Sequence, residues 1–434
     1  MKRCILLLGV LLLITACTSD RIQTYPNANI VILGLDAVRP DHLSFLGYER
    51  NTTPFLSDFA SRAYVFSNAI TQAPWTLPSF MSFFTSMYPH QHKLTNRYII
   101  TPNSDELIEV NLSRDIVTLA QLLKSRGYTT AAFTGDAGLL GRYGFKRGFD
   151  IYIDNKTFGG FERSAQLALR WLRKSPKEPF MLFVHGYEAH GKFNLSDDFY
   201  GEFFSQEEAL SYNVSDERWL YYRNISVYKR PFNLSQGEIK AWNDWYDQKL
   251  RLLDSRIHPL LEGLDEMGYL NRTIIVIMSD HGEGLYEHKR FDHGLSLYDE
   301  LVRVVLILKL PNQVHGRIIN QQVRLIDVMP TLLELLGLPK NELSDQIQGV
   351  SIVPMLKGKQ MRLDAFSETD YLYNFFYRAI RTSDGWKLIY SPETDEFELY
   401  DLNTDPGETK NLVESNPKQF QGLRQELVSY LKLT

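Results

Sequence analysis

Cysteine is scarce in this sequence, and there is no excess of positive charge. The 434 residues contain two cysteines, Cys4 and Cys17, and both lie close to the N-terminus. A folded domain downstream of them therefore has no disulfide, and no thiol is available there as a nucleophile. The formal net charge is −5 at pH 7, with a pI of about 6.1. This balance gives no electrostatic support for a nucleic-acid partner, although a local cleft could still attract a small anion.

The N-terminal apolar run is too short to span a bilayer. Lys2 and Arg3 precede it and it covers residues 5–14, a pattern typical of a signal peptide. The ending ITAC resembles a bacterial lipobox, in which Cys17 would carry lipid and become the first mature residue. We therefore predict a signal peptide over residues 1–17 and a tether over residues 18–27. The alternative is a short membrane anchor with an incidental cysteine.

The residue after the lipobox bears on location. Thr18, rather than an aspartate, follows the lipobox cysteine. In bacterial lipoproteins this resembles the signal for passage to the outer membrane. The expected location is therefore the bacterial cell envelope, with the protein lipid-anchored to a membrane and either facing the periplasm or on the outer membrane.

Apolar and amphipathic stretches alternate along residues 28–340. Runs such as NIVILGLD and RTIIVIMSD are typical of buried strands, and IVTLAQLLKSRG is typical of a helix. We predict an α/β fold in which a large mixed, mostly parallel sheet is sandwiched by helices. Residues 341–434 contain short β-like runs and a final amphipathic stretch, which predict a smaller C-terminal α+β subdomain.

One segment interrupts the alternation. Residues 191–235 are polar but rich in aromatic residues, and they directly follow His190. Such a long insertion beside a candidate site could face the substrate. The alternative is a surface elaboration with a small core of its own.

Polar side chains stand at the ends of several predicted strands. Asp36, His185 and the pair Asp280–His281 each end a different apolar run. Ligand sites in such sheets lie beyond the carboxyl ends of the strands. A carboxylate and an imidazole held side by side suit a divalent cation. With the hydroxyl of Thr76, in the stretch PWTLPSF, these residues form a candidate site.

Several stretches together resemble the sulfatase family of the alkaline-phosphatase-like superfamily. Among them are NIVILGLDAVRPDHL, APWTLPSFMSFFTSMYPHQH, FMLFVHGYEAHGKF, SDHGEGLYEHKRFDHG and FELYDLNTDPGETKNL, in the family's order over most of residues 28–415. The resemblance implies that Asp36, Asp280 and His281 bind a metal and that Thr76 stands at the nucleophile position. It also implies that His190 and His293 bind the ester oxygens or assist the leaving group. His185 opens the same motif as His190 and is a further candidate for substrate binding.

The chain also departs from the family pattern. Sulfatases of the usual type carry Cys or Ser two residues before the proline, convert it to formylglycine, and place an arginine two residues after the proline. Here these positions hold Thr76 and Phe80. Ala37 replaces the second aspartate of the first motif, and Asp136 stands near the place of a lysine that often binds the anion. Three groups that handle the anion are therefore missing.

Unmodified threonine is the nucleophile in phosphodiesterase-like and phosphoethanolamine-transferase-like members of the superfamily. The resemblance thus implies a hydrolase of a small anionic ester on a glycan or lipid, with a phosphorus ester favoured over a sulfate ester. His293 could act as general acid. The alternatives are a sulfuric ester hydrolase without formylglycine, a transferase of a phospho-substituent to an envelope glycan or lipid, and an inactive relative that binds an anionic glycan.

The donor set also indicates which metal the site would hold. Replacing one carboxylate by His281 and a hydroxyl makes zinc or manganese better suited than calcium or magnesium. One ion is expected, and a second would have to use His185, Glu188, His190 or His293. For Thr76 itself, the alternative role is that of a helix N-cap, since an apolar helical stretch follows it.

Overall fold

The computed structural model describes residues 23–100, 107–191, 200–339, 343 and 345–432. The predicted signal peptide, Cys17, the first half of the tether and residues 192–199 of the insertion lie outside these ranges. Over the described ranges, none of the helices is both long enough and apolar enough to cross a membrane.

The described chain alternates strands and helices until about residue 356 and then becomes mainly β. The strands are β1 Asn29–Leu35, β2 Tyr64–Ile70, β3 Tyr98–Ile100, β4 Leu107–Glu109, β5 Thr129–Phe133, β6 Ile151–Ile153, β7 Phe180–Gly186, β8 Thr273–Ser279, β9 Gly284–Leu285, β10 Phe291–Asp292, β11 Arg303–Lys309, β12 Arg317–Ile319, β13 Val323–Arg324, β14 Ala365–Tyr371, β15 Phe375–Arg381, β16 Trp386–Ser391 and β17 Glu396–Asp401. The α-helices are α1 Pro54–Ala60, α2 Thr76–Thr85, α3 Pro89–His92, α4 Leu119–Ser125, α5 Phe161–Leu172, α6 Gln206–Tyr212, α7 Asp216–Val227, α8 Gln236–Glu266, α9 Asp299–Val302, α10 Val328–Leu335, α11 Val353–Leu356 and α12 Pro417–Lys432.

The large sheet has β1 near its centre. Its order is β12-β2-β11-β8-β1-β7-β5-β6, with β13 also paired to β2. Within the described sheet only β11 runs against its neighbours; the other pairings are parallel. The predicted mixed, mostly parallel sheet is confirmed.

Both faces of the sheet are buried, because the side chains of each strand alternate between two cores. On β1, Ile30 and Ile32 join one apolar cluster with residues of α2, α4 and α10. Val31 and Leu33 point to the other face and join a cluster with residues of α1, α5 and α8. Each such fully buried side chain contributes about 1.5–3 kcal/mol. This two-sided burial explains why the strands appear in the sequence as continuous apolar runs.

The strand register brings the candidate residues to one edge of the sheet. Leu35, at the end of β1, lies opposite Gly186 on β7 and Ser279 on β8. Asp36 and Asp280 are the next residues along their strands, so both emerge at the same level. Helix α2 begins at this edge and is buried along its whole length.

A glycine near the end of β1 makes room for α2. A Cβ added at Gly34 would lie 2.8 Å from Cζ of Phe80, closer than such contacts occur. Phe80 is fully buried and packs its ring against Phe183 and His185. The aromatic side chain therefore belongs to the core under the site and not to its surface.

The C-terminal residues form a separate antiparallel sheet in the order β14-β15-β16-β17. Helix α12 packs against β15 and β16 through an apolar cluster that includes Leu388, Leu399 and Leu423. The sheet begins at Ala365, whereas α11 packs with α10 in the core of the larger unit. The amide of Glu368 on β14 donates a 3.0 Å hydrogen bond to the carbonyl of Gln72, which ties this sheet to the loop that leads to α2.

Candidate active site

Four of the predicted site residues meet at the carboxyl edge of the sheet. Thr76 Oγ1 lies 3.2 Å from Oδ2 of Asp36 and 3.3 Å from Nε2 of His281. Nε2 of His281 is also 3.4 Å from Oδ2 of Asp280. Asp36, Asp280 and His281 are inaccessible to solvent and Thr76 is 5% exposed. The structure thus brings together residues from β1, α2 and β8 that are far apart in sequence.

The atoms that face this point are donors of electron pairs. The carbonyl of Gly282 lies 2.7 Å from Nδ1 of His281 and can only accept, so the ring proton is on Nδ1 and the lone pair of Nε2 faces Thr76. One oxygen of Asp280 accepts from the amides of Ala37 and His281. Oδ1 of Asp36 and Oδ2 of Asp280 are buried, and among the described residues neither atom has a hydrogen-bond partner.

These atoms fit a divalent cation. Ligand atoms of Asp36, Asp280 and His281 lie within 4.8 Å of one another. Burial, and after it the charges of Asp280 and Glu283, raises the pKa of Asp36 well above its ordinary value. Burial also raises the pKa of Asp280 to about 7. A cation held between the two carboxylates would offset this repulsion, and two carboxylates with a neutral imidazole are a familiar ligand set for zinc or manganese.

Thr76 is the first residue of α2 and not its N-cap. Trp75 holds the N-cap position in extended conformation, and no side chain caps the helix. The expected alternative of Thr76 as an N-cap is therefore wrong, because its hydroxyl is turned toward Asp36. Gly138 closes over the same side chain: a Cβ there would lie 2.6 Å from Cβ of Thr76. The hydroxyl is thus fixed at the positive end of a helix, where an anion is stabilised.

His190 and His293 lie next to this centre. Their ring centroids are 5.0 Å apart, and the ring of His293 is 4.2 Å from that of His281. Nδ1 of His293 contacts Oδ1 of Asp292 at 3.1 Å and Oε1 of Glu283 at 3.3 Å. Two imidazoles therefore lie in the same cleft lining as Thr76.

The pKa values of the two histidines are shifted in opposite directions. Burial by itself would lower the pKa of His293, but the carboxylates of Asp292 and Glu283 outweigh it and hold the pKa above its ordinary value. Burial, together with the charge of His293, lowers the pKa of His190 well below its ordinary value. When two neighbouring groups have pKa values shifted in opposite directions, the group with the raised pKa can donate a proton and the other stays neutral.

A family model described as Sulfatase matches residues 28–338. The chain belongs to the sulfatase family. A second model, described as N-sulphoglucosamine sulphohydrolase, C-terminal, matches residues 286–433. Together the two matches extend over the large sheet, the site and the C-terminal sheet. The expected family and its ester hydrolase chemistry are thereby confirmed.

Three similar proteins illustrate the range of the family and its fold. A Δ4,5-hexuronate-2-O-sulfatase of Bacteroides thetaiotaomicron is 25% identical over 428 residues, which cover 91% of this chain and 86% of the relative. A protein solved in complex with its substrate D-glucosamine-2-N,6-O-disulfate shares the fold with a TM-score of 0.70 and 22% identity, over 94% of this chain and 98% of its own. The phosphonate monoester hydrolase of Agrobacterium radiobacter has a TM-score of 0.71 and 16% identity, over 93% and 95% of the two chains.

In this member of the sulfatase family the candidate site opens into a cleft of about 580 Å³. Thr76, His190 and His293 belong to its lining. Helix α7 of the insertion contributes Trp219 and Arg223. Six further lining residues are aromatic and come from five separate segments: Trp75, Tyr98, Phe158, Tyr187, Tyr371 and Tyr373. The helical part of the insertion therefore faces the cleft, as one of the two sequence interpretations expected.

His185 does not line this cleft, which corrects its expected role in binding substrate. It is fully buried on β7, and its Nε2 lies 3.6 Å from Oδ2 of Asp36. Burial lowers its pKa to about 3, so the ring is neutral. Its ring packs against those of Phe80 and Tyr187. His185 therefore lies behind Asp36 on the core side, outside the cleft lining.

Two residues that the sequence did not identify connect the histidines. Oε2 of Glu283 accepts a 2.9 Å hydrogen bond from the amide of Gly191, beside His190, while Oε1 contacts His293. From the opposite side, Nζ of Lys249 donates to the carbonyl of His190 at 2.7 Å. Lys249 is fully buried in α8, and burial lowers its pKa to about 7. Only its contacts distinguish it from the exposed lysines of other helices.

Glu188, considered as a ligand of a second ion, lies on the other side of its loop. It is buried, and Oε1 is 3.4 Å from the guanidinium of Arg256 on α8. Asp136, near the position of the usual lysine, accepts from the hydroxyl of Thr157 and is not among the cleft residues. The loss of the lysine is therefore not compensated at that position.

Proposed function

We propose that this protein is a metal-dependent hydrolase that cleaves a phosphorus ester on a glycan or lipid, with Thr76 as nucleophile. The observation that carries the proposal is the position of the Thr76 hydroxyl. It lies between Asp36 and His281, at 3.2 Å and 3.3 Å, where the cleft meets the unpartnered carboxylate oxygens. A hydroxyl in such surroundings is placed for attack on an ester and not for capping a helix.

Asp36, Thr76, Asp280 and His281 would hold the metal. When bound there, a divalent cation lowers the pKa of a hydroxyl and offsets negative charge on the ester oxygens. His281 presents the lone pair of Nε2, because Nδ1 faces the carbonyl of Gly282. One ion accounts for all four side chains.

The other residues supply the proton chemistry. In the first step Thr76 Oγ1 gives its proton to Oδ2 of Asp36, 3.2 Å away, and forms a bond to phosphorus as the bond from phosphorus to the leaving oxygen breaks. Nδ1 of His293 faces Asp292 and Glu283, so Nε2 is the atom that can donate a proton to that oxygen. In the second step water attacks the phospho-threonine and gives a proton to His293, while the bond from phosphorus to Thr76 Oγ1 breaks and that oxygen takes its proton back from Asp36, which restores all three residues.

The choice of a phosphorus ester depends on Thr76 and Phe80. Neither the usual precursor of formylglycine nor the arginine two residues after the proline is present. Threonine serves unmodified in relatives that act on phosphorus esters, and the phosphonate monoester hydrolase of similar fold agrees with that chemistry. The resemblance therefore favours phosphorus at the reacting centre.

A sulfuric ester hydrolase is the second candidate. The hexuronate-2-O-sulfatase and the complex with D-glucosamine-2-N,6-O-disulfate show that similar proteins act on sulfated sugars. The proposed setting for either activity is the bacterial cell envelope, with Cys17 as the point of lipid attachment.

The test is a panel of aryl sulfate, phosphate monoester, phosphodiester and phosphonate monoester substrates, each assayed with Zn, Mn, Mg and Ca. We expect the highest kcat/KM on a phosphorus ester with Zn or Mn. A higher kcat/KM on the sulfate ester than on any phosphorus ester would favour the second candidate over the first. No turnover of any member by metal-loaded protein would contradict both candidates.

A further inference from the structure

The cleft is larger than the reacting ester requires. Its volume of about 580 Å³ lies in the range that holds a drug-sized ligand. The rings of Trp75 and Tyr371 pack edge to face, with their centroids 5.2 Å apart, and Trp219 is a further aromatic residue of the cleft wall. Flat apolar rings of this kind pack against the hydrocarbon faces of a sugar. The substrate therefore extends beyond the group that Thr76 attacks.

Positive charges outnumber negative charges among the residues that line the cleft. Apart from the histidines, its charged lining residues are Arg97, Arg223 and Asp292. Nε of Arg223 lies 2.7 Å from Oδ2 of Asp292, and Nη2 of Arg223 donates to the hydroxyl of Tyr371 at 3.2 Å. These contacts compensate Arg223. No ion pair joins Arg97 to another residue in the described part of the chain.

The backbone that carries Arg97 is held in place. The preceding residue, Asn96, donates from Nδ2 to the carbonyl of Asp370 at 2.5 Å and accepts from the amide of Leu372 at 3.0 Å. The carbonyl of Arg97 itself accepts from the amide of Val110 at 3.1 Å. Arg97 thus lines the cleft from a fixed backbone, and it stays accessible to solvent.

We propose that Arg97 is a specificity-determining residue that binds a second anionic group, a carboxylate or a sulfate, on the sugar that carries the reacting ester. This inference rests on the proposed cleavage at Thr76. An uncompensated guanidinium matches both anions, because its planar N–H groups can pair with two oxygens at once. The aromatic wall orients the ring between the two ends of the cleft.

The test compares sugars that differ in one group. The three probes are methyl glucoside, methyl glucuronide and methyl glucoside 6-sulfate, each carrying at O2 the ester that the panel shows to be cleaved. Wild-type protein should prefer the two sugars with a second anion by roughly 10- to 100-fold in kcat/KM. Arg97→Met should bring that ratio close to one. A preference restricted to the glucuronide or to the disubstituted glucoside identifies which anion is bound.

Arg142→Met is the matched control. Arg142 pairs with Glu109 on β4 and does not line the cleft, so this variant should keep the wild-type ratio. Raising the salt concentration should reduce the preference in wild type and leave the ratio of Arg97→Met unchanged. An unchanged ratio in Arg97→Met would overturn the inference.

Binding measurements test the role of Arg97 independently of the proposed reaction. Thr76→Ala protein titrated calorimetrically with methyl glucuronide and with methyl glucoside should bind the first more tightly, and the double variant Thr76→Ala, Arg97→Met should not discriminate. This outcome is expected even if wild type cleaves no member of the ester panel. Equal affinities in both proteins would overturn the role of Arg97, whatever the reaction proves to be.

Discussion

The carboxylate of Glu283 lies against the imidazole of His293, with 3.3 Å between Oε1 and Nδ1. Its other oxygen accepts from the amide of Gly191, next to His190. One buried side chain therefore contacts both segments that carry the histidines of the cleft. Lys249 holds the segment of His190 from the other side. Substitution of Glu283 or Lys249 should therefore alter catalysis, although neither side chain takes part in the proposed reaction.

Lys249→Met tests that positioning role. The variant loses the hydrogen bonds to the carbonyls of His190 and Gly191, and the loop can shift relative to Thr76. We expect kcat to fall by about 10- to 100-fold with a smaller change in KM. Thermal unfolding should show a folded protein, because methionine fills the site without burying an ammonium group. Lys240→Met, on the exposed side of the same helix, should behave as wild type; equal kcat in both variants would contradict the role of Lys249.

The Thr76→Ala variant tests whether the hydroxyl of Thr76 is the nucleophile or has only a structural role. It should fold, retain metal through Asp36, Asp280 and His281, and lose several orders of magnitude in kcat, because the attacking oxygen is gone. Thr76→Ser should keep part of the activity. A hydroxyl with only a structural role would cost about 1 kcal/mol of stability on replacement by alanine and would leave kcat near the wild-type value. Turnover, metal content and thermal unfolding, measured on the same preparations, decide between these results.

Removing the metal should weaken the fold as well as the activity. Without a cation, the unpartnered oxygens of Asp36 and Asp280 stay buried and the pKa values of both carboxyls are raised. An ion present at about 100 times its Kd would add about 2.7 kcal/mol to the free energy of unfolding. We expect chelation to lower the unfolding temperature, and Zn or Mn to restore it more fully than Ca or Mg. Asp280→Asn should be insensitive to both treatments; an equal metal response in this variant would place the ion elsewhere.

His288 should make stability depend on pH at a point away from the cleft. Nδ1 lies 2.9 Å from Oε1 of Glu300, Nε2 faces the carbonyl of Glu408, and the ring stacks on Tyr298. Burial would lower its pKa, but the carboxylate of Glu300 outweighs burial and raises the pKa above the ordinary value. The stabilisation is therefore complete below the unfolded pKa of about 6.5 and is lost as the pH rises through the folded pKa.

The matched variant for this effect is His288→Gln, which can still form hydrogen bonds but cannot be charged. We expect it to unfold at a lower temperature than wild type at pH 5.5, and the difference to shrink at pH 9. A difference that is constant over this range would show that the charge of His288 does not contribute.

Cys17→Ala tests the proposed lipid anchor. The variant should lack lipid at its N-terminus and should be released from membranes or keep an uncleaved signal peptide. Labelling with palmitate followed by membrane fractionation is the measurement, with Cys4→Ala as the matched control. Unchanged labelling of Cys17→Ala would contradict the lipobox interpretation.

Much of the site's chemistry could be predicted because it is local in the sequence. Asp36 and Asp280 each follow a continuous apolar strand, and such strands end at a common edge wherever a sheet is parallel. Because β1 is buried on both faces, it appears in the sequence as a continuous apolar run, and runs of this kind indicated the fold class. Thr76 was identified as the candidate nucleophile only through the resemblance to the sulfatase family, because its local sequence is equally typical of a helix cap.

The tertiary structure decided which of these side chains meet and what surrounds them. His185 and Asp36 both end strands, yet the fold packs one behind the other, so only geometry removed His185 from the cleft. Lys249 has the sequence context of an ordinary helix lysine, and its burial depends on helix α8 lying over the loop of His190. The cleft that contains Arg97 joins segments from both ends of the chain. Such contacts depend on how distant elements pack, and packing between remote segments leaves no periodic pattern in the sequence that could reveal it.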